Sequence, residues 1–197
     1  MANSVLDLLS QQLGSDVVNQ MSARLGTDEG TMSNAIAAAL PMLLNGLARN
    51  SANPQGADAL SAALSRDHDG GILDDLMSFL GSGNIDTGTS ILGHIFGGKT
   101  DSMAAVLGKA SGMDVSSAAS LLAMLAPLVM GTLGRMQRQE GLDADGLSDM
   151  LGSERSRLEQ STPGLSGLAR MLDFDGDGQI MDDVGKIAGV LGQLFRH

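Results

Sequence analysis

Residues 112–135 have the sequence GMDVSSAASLLAMLAPLVMGTLGR, and this stretch decides the fold. Between residues 118 and 133 almost every position is apolar or small, a pattern typical of a buried helix. Pro127 lies in the middle, where its missing N–H is expected to kink the helix. Ser120 and Thr132 also interrupt the run, which falls short of the roughly 18 continuous apolar residues of a membrane span. The sequence therefore predicts a core helix and no membrane span.

The same stretch repeats residues 26–49 at an offset of 86 residues (127 − 41), which indicates an internal duplication. Five identities carry the match: Gly26 and Gly112, Asp28 and Asp114, Pro41 and Pro127, Leu47 and Leu133, and Arg49 and Arg135. A loop at residues 67–75 recurs at residues 175–183, at an offset of 108 residues (175 − 67). The difference of 22 residues predicts an insertion in the second copy, within residues 137–160.

Apolar residues along the rest of the chain recur at helical spacing between glycine-rich breaks. We predict an all-α fold of two tandem pseudo-repeats. Each has short helices around a proline-kinked long helix, followed by a helix–loop–helix with an Asp/Gly-rich loop. The first pseudo-repeat is assigned to residues 1–99 and the second to residues 100–197, packed as one compact unit. We also expect a loop over residues 81–88, followed by a helix that is capped by Ser90 and closed by Gly97.

The most specific chemical motif is DFDGDGQIMDD at residues 173–183, here called the C-terminal loop. Acids at positions 1, 3 and 5 and a glycine at position 6 match the calcium-binding loop of an EF-hand. Position 12 is Val184 instead of the usual glutamate, so a nearer aspartate must close a shortened and weaker site. The predicted calcium ligands are Asp173, Asp175, Asp177, the carbonyl of Gln179, Asp182 and Asp183.

A plainer interpretation of the C-terminal loop is an Asp-Gly turn before a helix whose first residues are acids favoured by the helix dipole. The loop at residues 67–75, here called the acidic loop, has Ser65 where the C-terminal loop has Asp173. It therefore lacks the first carboxylate, and we interpret it as a structural relic. His68 in this loop is either a metal ligand or a solvated turn histidine.

Residues 93–100, GHIFGGKT, satisfy the phosphate-binding pattern G-x-x-x-x-G-K-T. That function requires a preceding β-strand, and the sequence offers none, so we interpret the match as a product of frequent glycine. His94 lies on an otherwise apolar turn and is expected to be partly buried. The arrangements typical of serine hydrolases and zinc proteases are absent from the sequence.

Composition limits the partners and the compartment. The formal net charge of −11 argues against nucleic-acid binding, which needs clustered Lys and Arg. The absence of cysteine excludes disulfides and zinc–thiolate sites. Because the N-terminus has neither the basic nor the long apolar segment of a secretory signal, we expect a cytoplasmic protein.

The paired prolines, the segment ILGHIFGGK at residues 91–99 and the two Asp-Gly-x-Ile-x-Asp-Asp loops together carry a resemblance to a known family. Over nearly its whole length the chain resembles the bacterial domain-of-unknown-function 937 family. The resemblance implies an all-helical bacterial protein without an assigned activity, whose members often carry the C-terminal Asp/Gly loop. It implies no catalytic residues.

We therefore expect a non-enzymatic protein in which calcium binds the C-terminal loop as a structural staple. The alternative is a protein-interaction or self-assembly scaffold without metal, with a protein partner or a homo-oligomer. Its thirteen methionines would offer adaptable apolar surface. A phosphohydrolase-like enzyme that uses residues 93–100 is the third and weakest hypothesis.

Overall fold

The computed structural model describes residues 4–82 and 85–161, and within these ranges the chain is helical without a strand. The helices in chain order are α1 (Val5–Gln12), α2 (Ser15–Leu25), α3 (Glu29–Ser51), α4 (Pro54–Asp67), α5 (Leu76–Ser82), α6 (Asp86–Phe96), α7 (Thr100–Ser111), α8 (Val115–Glu140) and α9 (Ala144–Ser161). Short 3-10 turns at Gly71–Leu73 and Gly97–Lys99 complete the described elements. The prediction of an all-α fold is confirmed.

Helix α8 is the centre of the unit that the described residues up to Arg155 form. Every residue from Leu121 to Gly134 is buried, and α1, α2, α3, α4, α6 and α7 all pack against this helix. Leu, Met and Ala fill the spaces between the helices because the sequence offers few aromatic side chains. The apolar stretch at residues 118–133 thus lies in the core helix, as predicted.

Among the described helices, α3 and α8 are long and apolar enough to cross a membrane, judged by length and composition alone. In α8, 72% of the apolar window is buried inside the protein, and in α3 the share is 56%. Core helices of soluble proteins pass the same test, so this observation is weak evidence for a membrane protein. The absence of a membrane span therefore stays a prediction.

The N-terminal ends of the two proline-containing helices have matching caps. Asp28 caps α3 and Asp114 caps α8, and each side chain accepts a hydrogen bond at 2.9 Å from a backbone N–H of the first turn. Gly26 and Gly112 end the preceding helices in the left-handed conformation, with φ of 64° and 80°. These features agree with the offset of 86 residues, while the full pseudo-repeat and its boundary at residue 99 stay predictions.

The segment 81–88 differs from the sequence-based expectation of a loop. Helix α5 extends to Ser82, and α6 begins at Asp86, so Ser90 lies inside α6 and its hydroxyl donates to the Asp86 carbonyl. The prediction that Ser90 caps this helix was therefore wrong. Gly88 lies inside α6, where it allows close packing and does not form a turn.

Gly88 of α6 lies directly against the backbone of α8. A Cβ atom at this position would be 1.7 Å from the carbonyl oxygen of Ala123. Within a helix that oxygen normally accepts from the N–H four residues later, but the residue there is Pro127, which has no N–H. The proline thus frees a carbonyl, and the glycine allows a neighbouring helix to approach it.

Candidate functional site

The predicted calcium ligands lie outside the described residues. These are Asp173, Asp175, Asp177, Gln179, Asp182 and Asp183. The structure does describe the related acidic loop, residues 67–75, between α4 and α5. The acidic loop is therefore the candidate site within the described residues.

A tight turn forms the centre of the acidic loop. The Asp69 carboxylate accepts a hydrogen bond at 3.0 Å from the N–H of Gly71, which is the expected behaviour of an aspartate at a turn. Gly70 has a φ of 91°, a conformation that side-chain-bearing residues rarely adopt. A 3-10 turn, Gly71–Leu73, follows and buries Leu73. The Asp-Gly pair therefore sets the direction in which the loop's oxygen atoms point.

Two glycines of α8 let the acidic loop approach this helix closely. A Cβ atom at Gly134 would lie 1.9 Å from the carbonyl oxygen of His68. A Cβ atom at Gly131 would lie 2.6 Å from the side chain of Ile72. A larger residue at Gly134 would push the loop backbone away from the core helix, and one at Gly131 would require the Ile72 side chain to move.

Two arginines on the next turn of α8 bind the oxygen atoms of the acidic loop. Nη2 of Arg135 donates to the Gly70 carbonyl at 2.9 Å and to the Asp74 carboxylate at 2.5 Å. Arg138 donates to the Asp69 carbonyl and, at 3.4 Å, to the carboxylate of the same residue. The two guanidinium groups therefore occupy the position on which the carbonyl and carboxylate oxygens of the loop converge.

These contacts give the acidic loop a structural role. Among the described residues, no group of three or more His, Asp or Glu side chains is arranged to hold a metal ion. The side chains of Asp69 and Asp74 are largely exposed, so their ion pairs contribute modestly to stability. The hydrogen bonds to backbone carbonyls add direction, and together they fix the loop on α8.

His68 belongs to the acidic loop, and its side chain lines a small cleft. Burial lowers the pKa of this imidazole, and the neighbouring Asp67 carboxylate opposes the effect. The cleft has a volume of about 180 Å³. Its lining includes His68, Gly70, Ile72, Phe79, Thr87 and Pro127. His68 is thus half-buried, which differs from a freely solvated turn histidine.

The segment at residues 93–100 does not have the geometry of a phosphate-binding loop. Its first residues belong to α6, Gly97 ends that helix with a φ of 59°, and α7 begins at Thr100. A helix and not a strand precedes it, as the sequence indicated. The side chain of His94 is exposed, so the prediction that it is partly buried was wrong. Its carbonyl accepts from the Asn50 side chain at 2.8 Å.

Most described methionines belong to the core and not to a surface. The buried ones are Met21, Met32, Met113, Met124, Met130 and Met136. Among the described residues, Met77 and Val115 are the large hydrophobic side chains with high exposure, at 48% and 50%. Methionine count alone therefore gives little support to an adaptable binding surface.

Sequence reasoning identified the acidic loop but missed the groups that bind it. Arg135 was noted only as a repeated identity with Arg49, and Arg138 was not noted at all. The available signal was a pair of arginines three residues apart at the end of an apolar helix, close to a glycine. That spacing places both side chains on one face of α8, where they reach the loop together.

A comparison with protein families identifies one match to this chain. A family model described as "Bacterial protein of unknown function (DUF937)" matches residues 7–136, which include α2 to α7 and most of α8. No curated protein and no solved structure matches the chain.

Proposed function

Because the chain belongs to the bacterial DUF937 family, for which no function is known, we propose its role from the chemistry of its two related loops. The proposal is a non-enzymatic helical protein whose C-terminal loop binds calcium as a structural staple. The proposed ligands are Asp173, Asp175, Asp177, the Gln179 carbonyl, and Asp182 or Asp183. No step of catalysis is assigned to these residues.

The observation that supports this proposal is the pair of hydrogen bonds between Arg135 and the acidic loop. One guanidinium nitrogen donates hydrogen bonds to both the Gly70 carbonyl and the Asp74 carboxylate, at 2.9 and 2.5 Å. In the acidic loop, the sequence D-G-x-I-x-D-D thus folds so that a carbonyl oxygen and a carboxylate oxygen converge on one positive group. Calcium requires the same kind of convergence, with six to eight oxygen ligands.

The C-terminal loop offers one carboxylate more than the acidic loop. At the offset of 108 residues, Asp173 replaces Ser65, while Asp175 and Asp177 replace Asp67 and Asp69. The additional acid supplies the first position of the calcium-binding pattern. We therefore assign the metal to the C-terminal loop and the arginine contacts to the acidic loop.

Thermal unfolding of the full chain with and without calcium tests the proposal. At a calcium concentration about tenfold above the dissociation constant, binding to the folded state contributes about 1.4 kcal/mol. For a chain of this size that corresponds to a Tm increase of about 3–6 °C. Asp175→Asn should abolish the increase because it removes a ligand from the C-terminal loop.

Asp67→Asn is the matched control, since Asp67 is the equivalent of Asp175 in the acidic loop. It should retain the full calcium response. If millimolar calcium leaves the Tm and the amide spectra of the wild-type chain unchanged, the calcium proposal fails. Calcium independence combined with concentration-dependent self-association would instead support the scaffold alternative.

A further inference from the structure

Helices α4 and α9 carry the same short sequence pattern. Residues 57–64 read ADALSAAL, and residues 144–151 read ADGLSDML, at an offset of 87 residues. Alanine, aspartate, serine and both leucines coincide. This offset differs by one residue from the offset of 86 that relates the proline-containing helices α3 and α8.

The two helices bury the same two leucines of the pattern, although Ala57 is buried and Ala144 is only partly buried. Leu60 and Leu64 are buried in α4, and Leu147 and Leu151 are buried in α9. Each of the positions 60–66 has the same burial class as its counterpart in 147–153, whether buried, intermediate or exposed. The match therefore extends from sequence to the face that each helix turns toward the core.

Each helix binds the end of the proline-containing helix from the other copy. In α4, the Ser61 hydroxyl accepts from Nε2 of Gln137 in α8 at 2.7 Å. In α9, the Ser148 hydroxyl donates to the Ser51 carbonyl in α3, also at 2.7 Å. Ser61 and Ser148 are equivalent at the offset of 87 residues, and Ser51 and Gln137 are equivalent at the offset of 86.

We infer that α9 is the second copy's counterpart of α4, and that the C-terminal turn of each proline-containing helix is a docking surface for the other copy's following helix. The partner of each surface is an amphipathic helix with the pattern A-D-x-L-S-x-x-L. The chain up to residue 153 is then a fused pseudo-dimer in which α4 packs against the proline-containing helices of both copies. The additional residues of the second copy then follow Ser153 and do not begin near residue 137.

The chemistry of the docking surface explains the pattern. Ser51 and Gln137 are buried polar residues, and a buried polar group needs a hydrogen-bond partner. At Gln137 the Ser61 hydroxyl supplies that partner. At Ser51 the side chain donates to the Ala48 carbonyl of its own helix, and the Ser148 hydroxyl binds the Ser51 backbone carbonyl. Because the two leucines are four residues apart, they lie on the same face of the helix.

A helix transplant in the full chain tests the inference. Residues 144–153 are replaced by the sequence of residues 57–66, ADALSAALSR, which keeps the leucines and the serine in register. We expect a cooperative unfolding transition with a Tm within a few degrees of the wild-type chain. The reverse transplant, residues 144–153 into positions 57–66, should behave in the same way.

The matched control shifts the register by one residue. Residues 144–153 are replaced by the sequence of residues 58–67, DALSAALSRD, which has nearly the same composition. A shift of one residue rotates the leucines by about 100° on the helix, away from the docking surface. Success of either transplant, together with a Tm loss of more than 10 °C for the shifted variant, supports the inference. Failure of both transplants, or equal stability of the shifted variant, would overturn it.

Discussion

The contact between Gly88 and Ala123 provides the sharpest test of the packing around α8. A Cβ atom at residue 88 would lie 1.7 Å from the Ala123 carbonyl oxygen, whereas ordinary van der Waals contacts begin at 3.4 Å. Because the atom it meets belongs to the backbone of the core helix, rotation of a side chain cannot relieve the overlap. Gly88→Ala therefore requires α6 and α8 to move apart.

The magnitude follows from that overlap. Overpacking of a core typically costs about 1–3 kcal/mol, and a backbone clash of this size belongs at the upper end. Alanine also gains about 1 kcal/mol of helix propensity over glycine, so the expected net loss is about 2 kcal/mol. For a chain of this size, that loss lowers the Tm by about 4–8 °C.

Gly93→Ala is the matched control on the same helix. Nothing lies within 4 Å of a Cβ atom at this position, so the substitution should stabilise the protein by about 0.5–1 kcal/mol. Urea unfolding followed by circular dichroism at the helix band measures both variants. If Gly88→Ala is as stable as Gly93→Ala, the close approach of α6 to α8 is refuted.

Three further predictions concern the acidic loop and the helix caps. Arg135→Gln should cost about 1–2 kcal/mol in urea unfolding, because it removes hydrogen bonds from a charged group to Gly70 and Asp74. Arg66→Gln, which breaks only an exposed ion pair, should change stability by less than about 0.5 kcal/mol. Hydrogen bonds from Thr31 and Ser117 lower the pKa of the caps Asp28 and Asp114. The ionised caps therefore stabilise the fold above the ordinary carboxyl pKa, and this contribution is lost as pH falls through the lowered pKa. In an acid titration, Asp28→Asn and Asp114→Asn should each lose less stability than the wild-type chain. Burial lowers the pKa of His68, so the imidazole stabilises the fold while neutral. That contribution falls as pH drops below about 6.5, and the dependence should weaken in His68→Gln when Tm is measured against pH.

Some parts of the fold depend on local chemistry that a single sequence displays. Asp28 and Asp114 cap the helices that follow them, and Gly26 and Gly112 end the helices before. Each of these roles depends on a few neighbouring residues, so a single sequence is enough to detect it. The apolar run around Pro127 was likewise sufficient to identify the core helix.

The sequence was less informative where two distant segments meet. Gly88 and Gly134 are needed because a backbone atom of another segment lies against each of them. The sequence around a glycine does not show which distant segment will pack there. Ser90 was assigned to a cap for the same reason, since the glycine before it suggested a loop. The arginines of α8 illustrate the same limit, because their partners in the acidic loop lie more than sixty residues earlier.

The position of α8 in the chain also affects how the protein is made. Ribosomes release the N-terminus first, so α1 to α4 emerge with their apolar faces exposed, while the helix that covers them ends 73 residues after α4 (140 − 67). At the usual elongation rates of about 5–20 residues per second, that interval lasts roughly 4–15 s. During this time the nascent chain exposes leucine-rich helices that chaperones can bind. The core can form only after α8 has been synthesised.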